Sequence, residues 1–178
     1  MESIQDKYQR IRPEITDGCM FLMSRNRPVS KIIRWSDNAD FSHIGLIFEK
    51  VGRFLIIDSN SNGVHPELLS VRIDECDNFL IIKPLCSIDI INDELCKSFT
   101  RASLGIKYDF KNGLKELVNR KFHTSFKIKP RDEHDICSDW VREQAIVQNM
   151  VTEDFKNITL PFPQDYLRYV GTNVKILN

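Results

Sequence analysis

The sequence predicts an α+β fold, an antiparallel sheet packed against helices, on three observations. Short apolar runs bounded by turn residues recur at 18–24, 41–48, 54–58 and Asn78–Pro84, and these read as strands. Segments with helix start and stop residues lie before, between and after them. Strands and helices also mix without the repeating strand–helix–strand rhythm that a parallel sheet requires.

Taken in order, residues 2–11 read as a short amphipathic helix, and GCMFLMS over 18–24 as a buried strand. Pro28 suits a first helical turn and opens a helix through Trp35. The strands at 41–48 and 54–58 form a hairpin that turns around Lys50-Val51-Gly52. After Asn78–Pro84, Asn92 or Asp93 can cap a helix to about Leu104, with Gly105 past its last turn. Residues 110–120 read as helix and 121–133 as a basic, irregular stretch broken by Pro130. The clearest helix runs from about Cys137 to Met150, with Trp140, Val141, Ala145 and Val147 forming a partial apolar stripe. Pro161 and Pro163 mark a turn, and Val174–Leu177 adds a last strand.

The chain has 178 residues and no linker or repeat, which predicts a single domain, 1–178. Lys+Arg and Asp+Glu both number 25. That balance does not call for nucleic acid, which demands a basic excess. Arg25, Arg27, Lys31 and Arg34 form a local basic cluster, either a solvated face or a dock for an anionic headgroup or wall fragment. The polar start, MESIQDKYQR, lacks an apolar signal core, and no run is long enough to span a membrane. Five cysteines without CxxC spacing fit neither a fully paired disulfide framework nor a zinc site, and the expected compartment is the reducing cytoplasm.

The chemistry concentrates in a few residues. Cys137 stands where a helix should begin, and free N–H groups with a partial positive charge there favour thiolate and can hold an oxyanion. Its other reading is a buried core cysteine, the expectation for Cys19, Cys86 and Cys96 inside apolar runs. His43 opens an apolar strand, with Gly45 on its own face leaving room for a substrate. A hairpin turning near residue 51 brings Asp58 close to His43 across the ladder, where it can orient the ring; alternatively it makes a local turn bond. His65 competes for that third role. His134 precedes Cys137 by three residues but need not share its face, and His123 has no evident partner. Tyr108 follows Gly105 at a break between helices and can donate to an oxyanion or pack the loop.

Together these residues carry a family pattern. Asp17-Gly18-Cys19-Met20-Phe21, Ser42-His43-Ile44-Gly45, Asp58, Gly105-Ile106-Lys107-Tyr108-Asp109, Cys137-Ser138-Asp139-Trp140-Val141 and Pro161-Phe162-Pro163-Gln164-Asp165 follow in order over about residues 14 to 168. The chain resembles the permuted branch of the NlpC-type papain-like superfamily, particularly YiiX-like proteins and their viral relatives, and more distantly lecithin:retinol acyltransferase-like enzymes. The histidine precedes the cysteine, the reverse of papain order. The chain departs from the pattern in reading Asp-Gly rather than Gly-Asp at its start, Asp58 where Glu or His is frequent, and Asp139 rather than Glu.

The resemblance implies a circularly permuted papain-like fold. It implies a thiol hydrolase acting on an amide or peptide bond through an acyl-enzyme, with Cys137, His43 and Asp58 catalytic and Tyr108 and Ser138 at the substrate or oxyanion. It further implies no metal or organic cofactor, and a peptide, cell-wall fragment or lipid as substrate. A lipid-directed acyl hydrolase or acyltransferase, or a non-catalytic interaction protein using the same cleft, are the competing readings. For a viral protein the compartment would be the host cytoplasm.

Overall fold

The computed structural model describes residues 2–60, 63–85, 107–108, 110–127, 134–135, 141–142, 145–146, 150–158 and 161–178. The expected helix over 92–104, Cys86, Cys96, Asp109, Cys137, Ser138 and Asp139 lie outside them.

Six strands form an antiparallel sheet. They are β1 (Met20–Ser24), β2 (His43–Lys50), β3 (Arg53–Asn60), β4 (Gly63–Leu68), β5 (Asn78–Pro84) and β8 (Val174–Leu177), in the spatial order β4-β3-β2-β1-β5-β8. Helices α1 (Ile4–Ile11), α2 (Pro28–Asp37), α3 (Leu69–Asp74) and α4 (Phe110–Phe122) surround it, with a short helix at Asp165–Arg168. A separate parallel pair joins β6 (Lys107–Tyr108) to β7 (His134–Asp135), and β6 packs beside β3 and β4. Among the described residues no helix is long and apolar enough to cross a membrane.

The period-two alternation of strands sorts the core onto two faces. Met20, Leu22, Ile44, Leu46 and Ile57 belong to one core with Val141, Ala145, Phe155 and Tyr166. Phe21, Met23, Ile47, Ile56 and Phe79 belong to the other, with Tyr8 and Ile11 of α1 and Leu69 and Ile73 of α3. The apolar runs read as strands are therefore continuous because both faces are covered.

Three turns set the geometry around β2. Asn38, in the left-handed region at φ 48°, ends α2; asparagine tolerates that conformation at a helix C-terminus. Between β2 and β3, Val51 and Gly52 both have positive φ, 53° and 71°, as a two-residue hairpin loop of this hand requires. The Asp17-Gly18 step bends the chain into β1. The Glu49 amide donates to Asp17 Oδ1, and the Gly18 amide donates to the Ile47 carbonyl at 2.9 Å.

The sequence reading omits β4 and α3. β4 contains Pro66, which a strand accommodates at a sheet edge, and β4 is the edge. α3 has only 6 residues, too few for the Leu69/Ile73 pair to show a helical period. Helix α4 continues two residues past the expected end. His134 lies in β7.

Candidate active site

His43 is the first residue of β2, opposite Met23 of β1. Its approach is held in place by polar contacts that do not depend on the ring. Ser42 and Ser30 share a hydrogen bond of 2.5 Å between buried hydroxyls, and the Arg25 amide donates to Ser30 Oγ at 3.1 Å. Gln164 Oε1 accepts from the Asp40 amide at 3.0 Å. The Pro161–Asp165 turn thereby touches the connection that delivers His43. That turn is itself locked: Asp165 Oδ2 accepts from the Phe162 amide at 2.8 Å and from Arg120 Nη1 at 2.7 Å. Burial alone would lower the Arg120 pKa, but Asp165, Glu116 and Asp37 raise it.

The hairpin register sets Gly45 opposite Asp58, so Asp58 lies diagonal to His43 on the same face. Asp58 Oδ2 meets His43 Nε2 at 2.9 Å. The histidine side chain is 17 % exposed and the carboxylate 1 %. The second oxygen, Oδ1, accepts from Arg72 Nη2 at 3.1 Å. Arg72 is buried and reaches onward to Glu67 at 2.7 Å and to Glu75 at 3.2 Å, and Glu75 meets Arg25 at 2.5 Å. Charges of alternating sign thus run from the imidazole through the buried Asp58 and Arg72 and out to the partly exposed Glu67 and Glu75. Burial pushes the Asp58 carboxyl up, but the charge and hydrogen bond of His43, then Arg72 and His65, outweigh it and hold the group below the ordinary carboxylate range. Arg72 escaped the sequence reading because it lies on the short helix α3. The available signal was its placement beside Leu69 and Ile73, with Glu75 three residues on.

The expected space beside Gly45 is filled. A Cβ there would stand 2.8 Å from Ile56 Cδ1 and 2.9 Å from the Ile57 carbonyl oxygen. Gly45 therefore serves close packing between β2 and β3, not substrate access. Gly45→Ala is expected to cost about 1–3 kcal/mol through overpacking, read as a lower urea midpoint. An unchanged midpoint would show that Ile56 can move aside.

His65 sits on β4 directly opposite Asp58, with Nδ1 3.0 Å from the Gly63 carbonyl. It contributes to the field at Asp58, after His43 and Arg72. Tyr108 pairs with Asp135 in the β6–β7 ladder, two residues before Cys137 in sequence. The two described cysteines are Cys19 and Cys76, both buried. Burial pushes the Cys19 thiol up and the Cys76 thiol up to about 11.

A solved structure described as the metalloprotein YiiX from Escherichia coli O157:H7 has a similar overall fold, with a TM-score of 0.65 over 92 % of this chain and 96 % of that one. This is the YiiX fold. At 12 % identity the likeness to YiiX shows the fold alone. No protein-family model matches the chain, and no curated protein matches it in sequence. YiiX is called a metalloprotein. Among the described residues of this chain, no three His, Cys, Asp or Glu side chains are grouped to hold a metal ion. Both Asp58 oxygens already have partners.

Proposed function

We propose that this chain is a thiol hydrolase with a circularly permuted papain-like fold, a single domain over 1–178, cleaving an amide or peptide bond through an acyl-enzyme. The observation that carries the proposal is the hydrogen bond between the partly exposed His43 at the start of β2 and the buried Asp58 of β3, with Asp58 anchored from behind by Arg72. A carboxylate in that position fixes the imidazole tautomer and stabilises imidazolium. Asp58 occupies Nε2, so proton exchange with a nucleophile runs through Nδ1.

Cys137 is the proposed nucleophile. It follows Asp135 by two residues, and two residues of extended chain reach about 7 Å at most. Asp135 pairs with Tyr108, and β6 packs beside β3 and β4, the strands that carry Asp58 and His65. Val141 and Ala145, further along, belong to the core on the face opposite His43. The proposed chemistry requires the Cys137 thiol to come within hydrogen-bond reach of His43. In the proposed reaction His43 takes the thiol proton and Cys137 adds to the carbonyl carbon. Backbone N–H groups near Cys137 and Ser138, with Tyr108, hold the oxyanion. The proton then passes from His43 to the leaving amine, and water releases the acyl group.

Alkylation with a small electrophile across pH, followed by peptide mapping, tests this reading. Cys137 is expected to react fast below pH 7, because an adjacent imidazole favours thiolate, and to slow in a His43→Ala variant. Cys19 and Cys76 are expected to lag at every pH, since burial raises both thiols. A Cys137 thiol no faster than these two would sink the enzyme reading and favour a non-catalytic interaction protein. A lipid-directed acyl hydrolase or acyltransferase would use the same residues, and the exposed apolar side chains of α2 and α4 favour that second reading.

A further inference from the structure

Helix α2 is inverted. Its buried positions are Ser30, Ser36 and Asp37, while Val29, Ile32 and Trp35 lie more than half exposed. The polar side is knitted into the domain. Ser30 bonds Ser42, and Asp37 Oδ1 accepts from Arg120 and Arg168. At 100° per residue, Val29, Ile32 and Trp35 fall on one stripe. A surface helix of a globular domain shows the opposite arrangement.

The neighbouring helix extends this surface. Leu114 and Phe122 of α4 are exposed, and with Val118 they stand at i, i+4 and i+8. Phe126, just beyond the helix, is exposed as well. Lys121 joins the two helices, its Nζ 4.1 Å from the centre of the Trp35 ring and donating to the Trp35 carbonyl at 3.2 Å. The charges on these helices are one-sided. Arg27, just before α2, and Lys31, Lys111, Lys115 and Lys121 are all cationic. The acids within the two helices, Asp37 and Glu116, are both tied to Arg120. A chain with a formal net charge of zero thus concentrates positive charge around its exposed apolar side chains.

We infer that the α2–α4 face is a docking surface for an anionic lipid bilayer. Aliphatic and aromatic side chains ringed by Lys and Arg match an interface whose interior is hydrocarbon and whose headgroups are negative. Tryptophan is the side chain best suited to the boundary between them. A second copy of the chain fits less well. A two-fold contact would set the same lysines against each other, and lysine is depleted at protein interfaces. Trp35, Phe122 and Phe126 can stack on bases, but Val29, Ile32 and Leu114 are aliphatic and match hydrocarbon better than nucleic acid. The inference is independent of Cys137 and His43, though α2 leads directly into β2 and would bring a membrane near that end of the sheet.

Vesicle co-sedimentation with the full chain is the test, using phosphatidylcholine alone and phosphatidylcholine mixed with phosphatidylserine. The protein is expected to bind the mixed vesicles and to release as salt rises. Brominated acyl chains should quench Trp35 in a Trp140→Phe background, where it is the sole tryptophan. An Ile32→Ser, Phe122→Ser double variant should lose roughly tenfold or more in binding, from the apolar area no longer inserted. Its urea midpoint should stay near the parent's, since both side chains are exposed. Absence of binding at low salt, or equal binding by the double variant, would overturn the inference. A dimer in solution that shields Trp35 from an aqueous quencher would also overturn it and reassign the face to self-association.

Discussion

Cys137→Ala is expected to abolish turnover of an activated acyl reporter, with His43→Ala close behind and Asp58→Asn retaining far more. The ranking follows from the proposed division of labour. The thiol forms the bond and the imidazole moves the proton, so loss of either removes the covalent route. In comparable triads the orienting carboxylate costs about a hundredfold less in kcat than the other two. Local geometry strengthens the expectation. His43 is held on the strand by the Ser30–Ser42 bond and the Gln164–Asp40 contact, which survive when the charge at position 58 is removed. Asparagine there can still offer its carbonyl oxygen to Arg72 or His43. Each variant should be compared by urea midpoint, so that loss of fold is separated from loss of chemistry. Substantial activity in Cys137→Ala would identify a different nucleophile. A Asp58→Asn loss equal to that of His43→Ala, at unchanged stability, would mean that the carboxylate does more than orient.

The legible part of the fold was the part in which local chemistry and tertiary burial agree. β1, β2, β3, β5 and β8 are apolar runs between turns, and Val51-Gly52 closes the hairpin through its own backbone preference. The diagonal approach of His43 to Asp58 was legible because a two-residue loop leaves little freedom of register. β4 was hidden by a proline that only its edge position permits. α3 was hidden by its brevity, and Arg72 with it, although its buried guanidinium joins His43 in compensating the buried Asp58 carboxylate. Gly45 shows a different limit. A missing side chain reads as open space in sequence, yet Ile56 of the facing strand fills it. The basic cluster at Arg25–Arg34 combined two unrelated roles. Arg25 turns inward to Glu75, while Arg27 and Lys31 face outward beside exposed apolar residues.

Arg72→Met should produce the largest stability loss of any single change around the site, about 3 kcal/mol at neutral pH. That is the lower end of the range for severing one partner of a buried ion pair, because His43 remains on the other oxygen. Methionine keeps much of the buried volume, so the loss reports charge rather than a cavity. The pH dependence distinguishes this from simple misfit. The Asp58 pKa is depressed in the fold, so its contribution is present above the unfolded carboxylate value and is lost as pH falls through the folded one. With Arg72 gone, the Asp58 pKa rises, because one of the charges that hold it down against burial is lost while His43 remains. The variant then holds a poorly compensated charge at neutral pH and is relieved by protonation. The gap between parent and variant should therefore be widest near pH 7 and narrow toward pH 4, measured by urea unfolding at each pH. A gap that stays constant over that range would assign Arg72 to packing, with Glu67 and Glu75 as its main partners, and would leave His43 as the principal support of the Asp58 charge.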